Sequence, residues 1–260
     1  MRILMVGDIV GNPGRSAFAR TVTRMRADKA VDVVVANAEN AAGGKGITRP
    51  MAEELFAAGA DVITLGDHAW DQREFVNEIK SFPAVVRPAN FAPGAPGRGF
   101  HTFEKNGVRV TVMVLVGRVF MNPYDCPFRT ADAILTREPN LGRIILVDMH
   151  GEATSEKIAM SRHLDGRVTA VCGTHTHVQT ADERIMPGGT AAITDLGMTG
   201  PKDSVIGRSA DAVMKTFLTG MPSKFEVGTG DVELDGVMLE VDELTGRCRS
   251  IKRVREKLAK

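Results

Sequence analysis

Carboxylate, amide and imidazole side chains recur just after apolar runs in this chain: Asp8 after residues 3–6, Glu39 and Asn40 after residues 31–36, Asp67 and His68 after residues 62–65. His150 closes the run 143–149, and His175 with His177 close the run 167–174. Four of the six histidines (His68, His150, His175, His177) fall at such ends and His101 and His163 do not, a bias that random surface placement would rarely produce. Mixed oxygen and nitrogen donors suit borderline first-row metals without choosing among iron, manganese and zinc. His175 and His177 are two residues apart, so an extended backbone would present both rings on one side, each to a different one of two neighbouring ions. Two ions about 3.5 to 4 Å apart can hold a bridging hydroxide as nucleophile and neutralise phosphoryl oxygens. A histidine of near-neutral pKa can then protonate the leaving oxygen.

The elements that must position these groups are legible as short β-branched runs at residues 3–6, 31–36, 62–65, 110–115, 144–147 and 168–171, each read as a buried strand. Helical stretches at 16–29, 51–58, 71–79 and 155–164 alternate with them, which predicts an α/β sheet. Loops at the carboxyl ends of such strands share one rim, so ligands far apart in sequence can converge there. Segments 99–116, 190–195 and 225–253 lack long intervening helices and alternate like antiparallel strands, so the sheet is expected to be mixed. The proline-containing stretches 88–96 and 123–127 read as connections rather than linkers, and one domain over 1–260 is expected.

Other readings of the same residues compete with this one. Asp8 with Gly11 and Gly14 lies in GDIVGNPG, whose spacing is not the dinucleotide GxGxxG. The loop 43–48 (GGKGIT) lacks Walker spacing and reads as a flexible flank of the site. Taken singly, Asp67 fits a turn, and His68 or His150 a buried structural histidine; as a set with His175 and His177 they read as metal ligands. Asp148 is a candidate for orienting a ligand imidazole, Arg118 a candidate phosphate contact no better than a surface arginine, Trp70 packing, and Cys172 core.

Composition bounds the rest. A formal net charge of +1 gives no footprint for long nucleic acid, and the basic segment 247–260 reads as a solvated tail. Three widely spaced cysteines argue against a disulfide framework and for a reducing, cytoplasmic setting. No signal h-region or membrane-length apolar run is found, so no membrane partner is expected.

The segments GDIVG, NAENAAGGKGIT, GDHAWD, DMHGEATSEK and GTHTHVQTAD, in this order, resemble the motif series of the YmdB-type bacterial metallophosphoesterases, from Met1 to about Gly207. Val10 stands where generic metallophosphoesterases carry the histidine of an Asp-x-His motif, which favours this branch. The resemblance implies a calcineurin-like αββα sandwich with mixed sheets and two divalent or trivalent metal ions, iron or manganese with zinc also compatible. It implies hydrolysis of small 2′,3′-cyclic nucleotides to 3′-nucleotides, and a homo-oligomer. Carried over by position, one ion takes Asp8, Asn40 and His177, the other His150, His175 and Asp67, Glu39 bridges them, and His68 is the general acid.

The family's third motif reads Gly-Asn-His, whereas here it is Gly66-Asp67-His68. Two divalent ions less Asp8, Glu39 and a bridging hydroxide leave one positive charge; an ionised Asp67 cancels it. Such a site is expected to hold metal at least as firmly and to attract an anionic diester less. Two other functions remain open at this level: a broad phosphatase or phosphodiesterase with the same machinery, and a regulatory metal-binding protein with an RNA or nuclease partner.

Overall fold

The computed structural model of the chain describes residues 1–224 and 226–258. Its strands, in chain order, are β1 (Arg2–Val6), β2 (Asp8–Ile9), β3 (Val33–Asn37), β4 (Val62–Thr64), β5 (Val85–Val86), β6 (Phe100–Lys105), β7 (Val108–Val116), β8 (Ile144–His150), β9 (Ala170–Thr174), β10 (Arg184–Ile185), β11 (Ala191–Ile193), β12 (Met198–Pro201), β13 (Val232–Val241) and β14 (Cys248–Lys257). The helices are α1 (Gly11–Ala27), α2 (Arg49–Ala57), α3 (Phe75–Glu78), α4 (Pro127–Arg137), α5 (Thr154–His163) and α6 (Ala210–Thr219).

Side chains alternate between the two faces of a strand, and here both faces are apolar. In β1, Ile3 and Met5 enter one core while Leu4 and Val6 enter another. In β8, Ile144 and Leu146 join Ile3 and Met5, while Ile145, Val147 and Met149 face away. A strand buried on both faces needs a cover on each side. The shared core lies between two sheets; Phe18 and Val22 of α1 and Leu55 of α2 cover the outer face of one, and Ala131 of α4 and Met160 of α5 that of the other. The layers are therefore helix, sheet, sheet, helix.

Both sheets are mixed. The first runs β2-β12-β13-β1-β3-β4-β5, with β14 also on β13; β1, β3, β4 and β5 are parallel, and β13 is antiparallel to β1, β12 and β14. The second runs β10-β11-β9-β8-β7-β6, parallel from β11 to β7 and antiparallel at both edges. The carboxyl ends of β1, β3 and β4 and of β7, β8 and β9 thus carry the rim expected from the sequence.

Several boundaries differ from the sequence reading. The first helix begins at Gly11, five residues early, because Gly11 takes a left-handed backbone (φ 60°) that starts the turn and Pro13 sits in the first turn, where its missing N–H is not needed. The segment 71–79 is α-helical only at Phe75–Glu78. Of segment 190–195, β11 lies parallel to β9 and pairs antiparallel only with the two-residue β10; the irregular return from 175 to 190 is long enough for a parallel crossover without a helix. The connection 123–127 ends in a helix, since Pro127 opens α4 with its φ already set. In 225–253, β13 and β14 form the antiparallel pair, and Phe225 lies outside the described residues. Among the described residues, no helix is long and apolar enough to cross a membrane.

Candidate metal centre

The faces set by strand alternation explain why the polar groups meet. Val33 and Val35 of β3, Val62 of β4, Ile144 and Leu146 of β8 and Ala170 and Cys172 of β9 all point into the core between the sheets. Continuing the same period to the strand ends places Asn37, Thr64, Asp148, His150 and Thr174 on that face, and all five are buried. Asp148 accepts from the Asn37 amide (3.1 Å), the Thr64 hydroxyl (2.6 Å) and the Thr174 hydroxyl (2.6 Å). Because the Thr174 proton goes to Asp148, its oxygen accepts from His150 Nδ1 (2.9 Å). That relay fixes the His150 tautomer and aims Nε2 out of the strand ends.

His150 Nε2 meets Glu39 Oε1 at 3.0 Å, Asp67 Oδ1 at 2.9 Å and His175 Nδ1 at 3.0 Å. One donor atom each from Glu39, Asp67, His150 and His175 lies within 4.8 Å of the others, a grouping able to hold a metal ion. The neighbouring Gly66 leaves room for it: a Cβ there would come within 2.3 Å of Glu39 Oε2 and His150 Nε2. His175 Nε2 faces Glu152 Oε2 at 3.3 Å, so Nδ1 is the nitrogen turned to the cluster.

A second donor set adjoins the first. Asp8 accepts from the His175 backbone N–H through Oδ2 (3.2 Å), which leaves Oδ1 buried without a partner. Asn40 donates to the Gly44 carbonyl (3.0 Å), and its Oδ1 is likewise buried and unsatisfied. His177 Nδ1 bonds the Ile206 carbonyl (2.9 Å), and its Nε2 lies 3.8 Å from Asp8 Oδ1. Buried acceptors without donors are rare in folded proteins and call for a ligand; a cation fits these two oxygens and the free imidazole nitrogen.

Several ionisable groups of the two sets depart from their ordinary values, and His150 and Asp8 must each give up a proton to bind a cation. Burial pushes the Asp8 carboxyl up from 3.8 to about 7. Burial would push His150 down, yet the Glu39 charge and hydrogen bonds to Asp67 and Glu39 hold it well above its ordinary value. Burial would also raise Glu39 and Asp67, but His150 brings Glu39 below the usual value, and hydrogen bonds to His150 and His175 hold Asp67 well below the carboxylate range. Burial lowers His177, which keeps it neutral and available as a ligand.

His68 lies on the same pocket, and its Nδ1 meets Asp71 Oδ2 at 3.0 Å. With Asp71 accepting the Nδ1 proton, Nε2 is the nitrogen available for proton exchange. The Glu39 carboxylate fixes the start of this loop by accepting from the His68 backbone N–H (3.2 Å).

One premise of the sequence reading is corrected. His175 (φ 94°) and His177 (φ 66°) are in left-handed backbone, not extended. They reach separate donor sets because Asp195 pins the residue between them, accepting from both the backbone N–H (3.1 Å) and the hydroxyl (2.6 Å) of Thr176, with Lys157 paired to the same oxygen at 2.8 Å. Sequence reasoning alone misses Asp71, Glu152, Thr174 and Asp195; Asp71 and Glu152 carry a signal, since each closely follows a candidate histidine. Asp148 holds His150 through Thr174, Trp70 packs against Phe91 (centroids 6.0 Å apart), Cys172 is buried, and Arg118 touches the rim through its backbone N–H to Glu156. The basic segment read as a solvated tail is instead mostly strand β14, paired antiparallel with β13; of its cations, Arg249 pairs with Asp242, Arg253 with Glu183, Arg255 with Asp235 and Lys257 with Glu233, while residues 259 and 260 lie outside the described residues.

An αββα sandwich of two mixed sheets bearing carboxylates and imidazoles on one rim is the architecture of the calcineurin-like metallophosphoesterases. The family model for YmdB-like proteins matches residues 4–254, and the chain belongs to that family. It is 44% identical over 254 residues to the 2′,3′-cyclic-nucleotide 2′-phosphodiesterase of Bacillus subtilis (strain 168), covering 98% of this chain and 96% of that one. A hypothetical protein from Thermus thermophilus superposes with a TM-score of 0.93 at 40% identity, over 99% of each chain. A novel phosphatase from Mycoplasma pneumoniae gives 0.93 at 33% identity, over 99% of this chain and 93% of that one.

Proposed function

We propose that this chain is a dinuclear metal-dependent phosphodiesterase that hydrolyses 2′,3′-cyclic nucleotides to 3′-nucleotides, with the two sheets and their helices acting as one catalytic domain. The observation that carries the reading is the pair of adjoining donor sets: the Glu39–Asp67–His150–His175 cluster, and the orphaned oxygens of Asp8 and Asn40 beside His177. The resemblance to the Bacillus subtilis enzyme supplies the substrate class.

In this reading Asp67, His150 and His175 would hold one ion and Asp8, Asn40 and His177 the other, with Glu39 contributing between the two sets. Iron or manganese suits the donors, and zinc is compatible with them. Bound there, the ions supply Lewis acidity toward the phosphoryl oxygens and an activated water. His68 delivers the proton that the departing ribose 2′ oxygen requires as its bond to phosphorus breaks, and Asp71 orients its ring from behind. Asp148, through Thr174, and Glu152 keep the His150 and His175 nitrogens aimed at the cluster.

Elemental analysis of the purified protein, with product identification after incubation with 2′,3′-cyclic AMP, tests the proposal. About two ions per chain and 3′-AMP as product are expected. Equal turnover of linear diesters and monoesters would replace it with a broad phosphoesterase. Two ions without hydrolysis would favour a regulatory role, and no metal after reconstitution would overturn the site.

A further inference from the structure

Lys45 stands at the mouth of the metal pocket on a backbone held in place from several sides. Gly43, Gly44 and Gly46 around it take left-handed backbone (φ 62°, 99° and 73°), which their lack of a Cβ permits. The Gly44 N–H donates to the Asn40 carbonyl (3.0 Å), and the Asn40 amide donates back to the Gly44 carbonyl (3.0 Å). The Ala42 N–H closes the loop onto the Gly46 carbonyl (2.9 Å), and the Gln72 amide donates to the Lys45 carbonyl (2.8 Å). Gly46 packs so closely there that a Cβ would lie 2.7 Å from Gln72 Cγ. The loop is thereby tied both to a candidate ligand, Asn40, and to the segment that carries His68.

Its side chain is exposed and lines the cavity of about 350 Å³ that also holds Glu39, His68, Glu152, His175 and His177. Among the described residues, no carboxylate or carbonyl accepts from its ammonium. Nearby Arg15 is already engaged, donating to Glu54, Asn12 and the Ala41 carbonyl. A cation without a counter-ion, on a pinned loop beside a site whose carboxylates, with a bridging hydroxide, would offset the charge of two divalent ions, is arranged to meet an anion.

We propose that Lys45 binds the phosphoryl oxygen of the phosphodiester, restoring the positive field that Asp67 cancels. This rests on the phosphodiesterase reading for its substrate, but its chemistry requires only a phosphate anion at the pocket.

The test compares manganese-loaded wild type with Lys45→Met and Lys45→Arg. Two readings are taken, calorimetric binding of inorganic phosphate and the kinetics of 2′,3′-cyclic AMP hydrolysis, with metal content measured alongside. Lys45→Met is expected to weaken phosphate binding and raise KM by about tenfold or more, with a smaller change in kcat. Metal content is expected to hold, and the salt dependence of KM to flatten. Lys45→Arg is expected to recover most of both losses. Unchanged phosphate affinity in Lys45→Met overturns the proposal, and so does a loss of metal, which would make the loop a support for Asn40. Absence of hydrolysis in wild type would sink the phosphodiesterase reading alone, since the phosphate affinities still decide the role of Lys45.

Discussion

At the scale of single residues, Asp67 is the position where this chain's chemistry departs from its family's expected pattern. Its carboxylate faces His150 Nε2 at 2.9 Å and His175 Nδ1 at 3.4 Å, and those hydrogen bonds keep it ionised. A charged donor stands where the family's pattern has a neutral amide, so the proposed site is expected to hold metal at least as firmly while the field that draws an anionic diester falls. Asp67→Asn is expected to weaken binding of the second manganese ion by on the order of tenfold. Its turnover of 2′,3′-cyclic AMP at saturating metal is expected to rise. Equal metal affinity and equal rates in the two proteins would remove this account.

The elements decide how closely those residues can approach. The loop after β4 must pass between Glu39 and His150, and Gly66 is the residue at the narrowest point. Gly66→Ala places a methyl group where Glu39 Oε2 and His150 Nε2 stand, so either the loop lifts or the ligands separate. Overpacking of this kind costs about 1 to 3 kcal/mol, and the metal should suffer more than the fold. The expected outcome is a folded protein by circular dichroism that retains less than one manganese ion per chain; full metal content would show that the loop yields freely. The turn after β9 is a comparable device, with Asp195 and Lys157 holding two histidines in left-handed backbone.

Across the whole molecule, the candidate metal site lies between two sheets and draws residues from both. Asp8 follows β1 of one sheet, and His150 ends β8 of the other. Asp8 has a folded pKa of about 7 against 3.8 when unfolded, so its contribution to stability is fully present below 3.8 and is lost as pH rises through 7. Above that pH a buried, unpaired carboxylate weighs against the fold until a cation meets it. Saturating manganese is therefore expected to raise the Tm of chelator-treated protein, and to raise it more at pH 8 than at pH 6, where a proton must first leave Asp8. At a hundredfold excess over Kd the gain is about 2.7 kcal/mol, or roughly 5 to 10 °C for a chain of this size. A larger gain at pH 6 would reverse the assignment of Asp8.

Much of this protein is legible without coordinates. Apolar runs announce β1, β3, β4, β7, β8 and β9, and the polar residue types after them mark the rim, because strand burial and strand-end chemistry are local properties of sequence. The helices α4 and α6 are not among the segments read from the sequence; α4 does present Phe128, Ala131, Ile134 and Leu135 at helical spacing to the core, a stripe that was open to reading, whereas α6 buries Val213 alone and its place is set by tertiary context. The direction of β11 and the left-handed turn at His175 and His177 are equally hidden, since the partners that fix them, β9 and Asp195, are distant in sequence. The sequence alone determined which residue types stand at the strand ends and on which strand face each falls. Only the tertiary structure decided which of their atoms meet: stacking two sheets brings Asp148 to Thr64 across 84 residues and Asp8 to His175 across 167, and contacts between chain segments so far apart carry no local pattern.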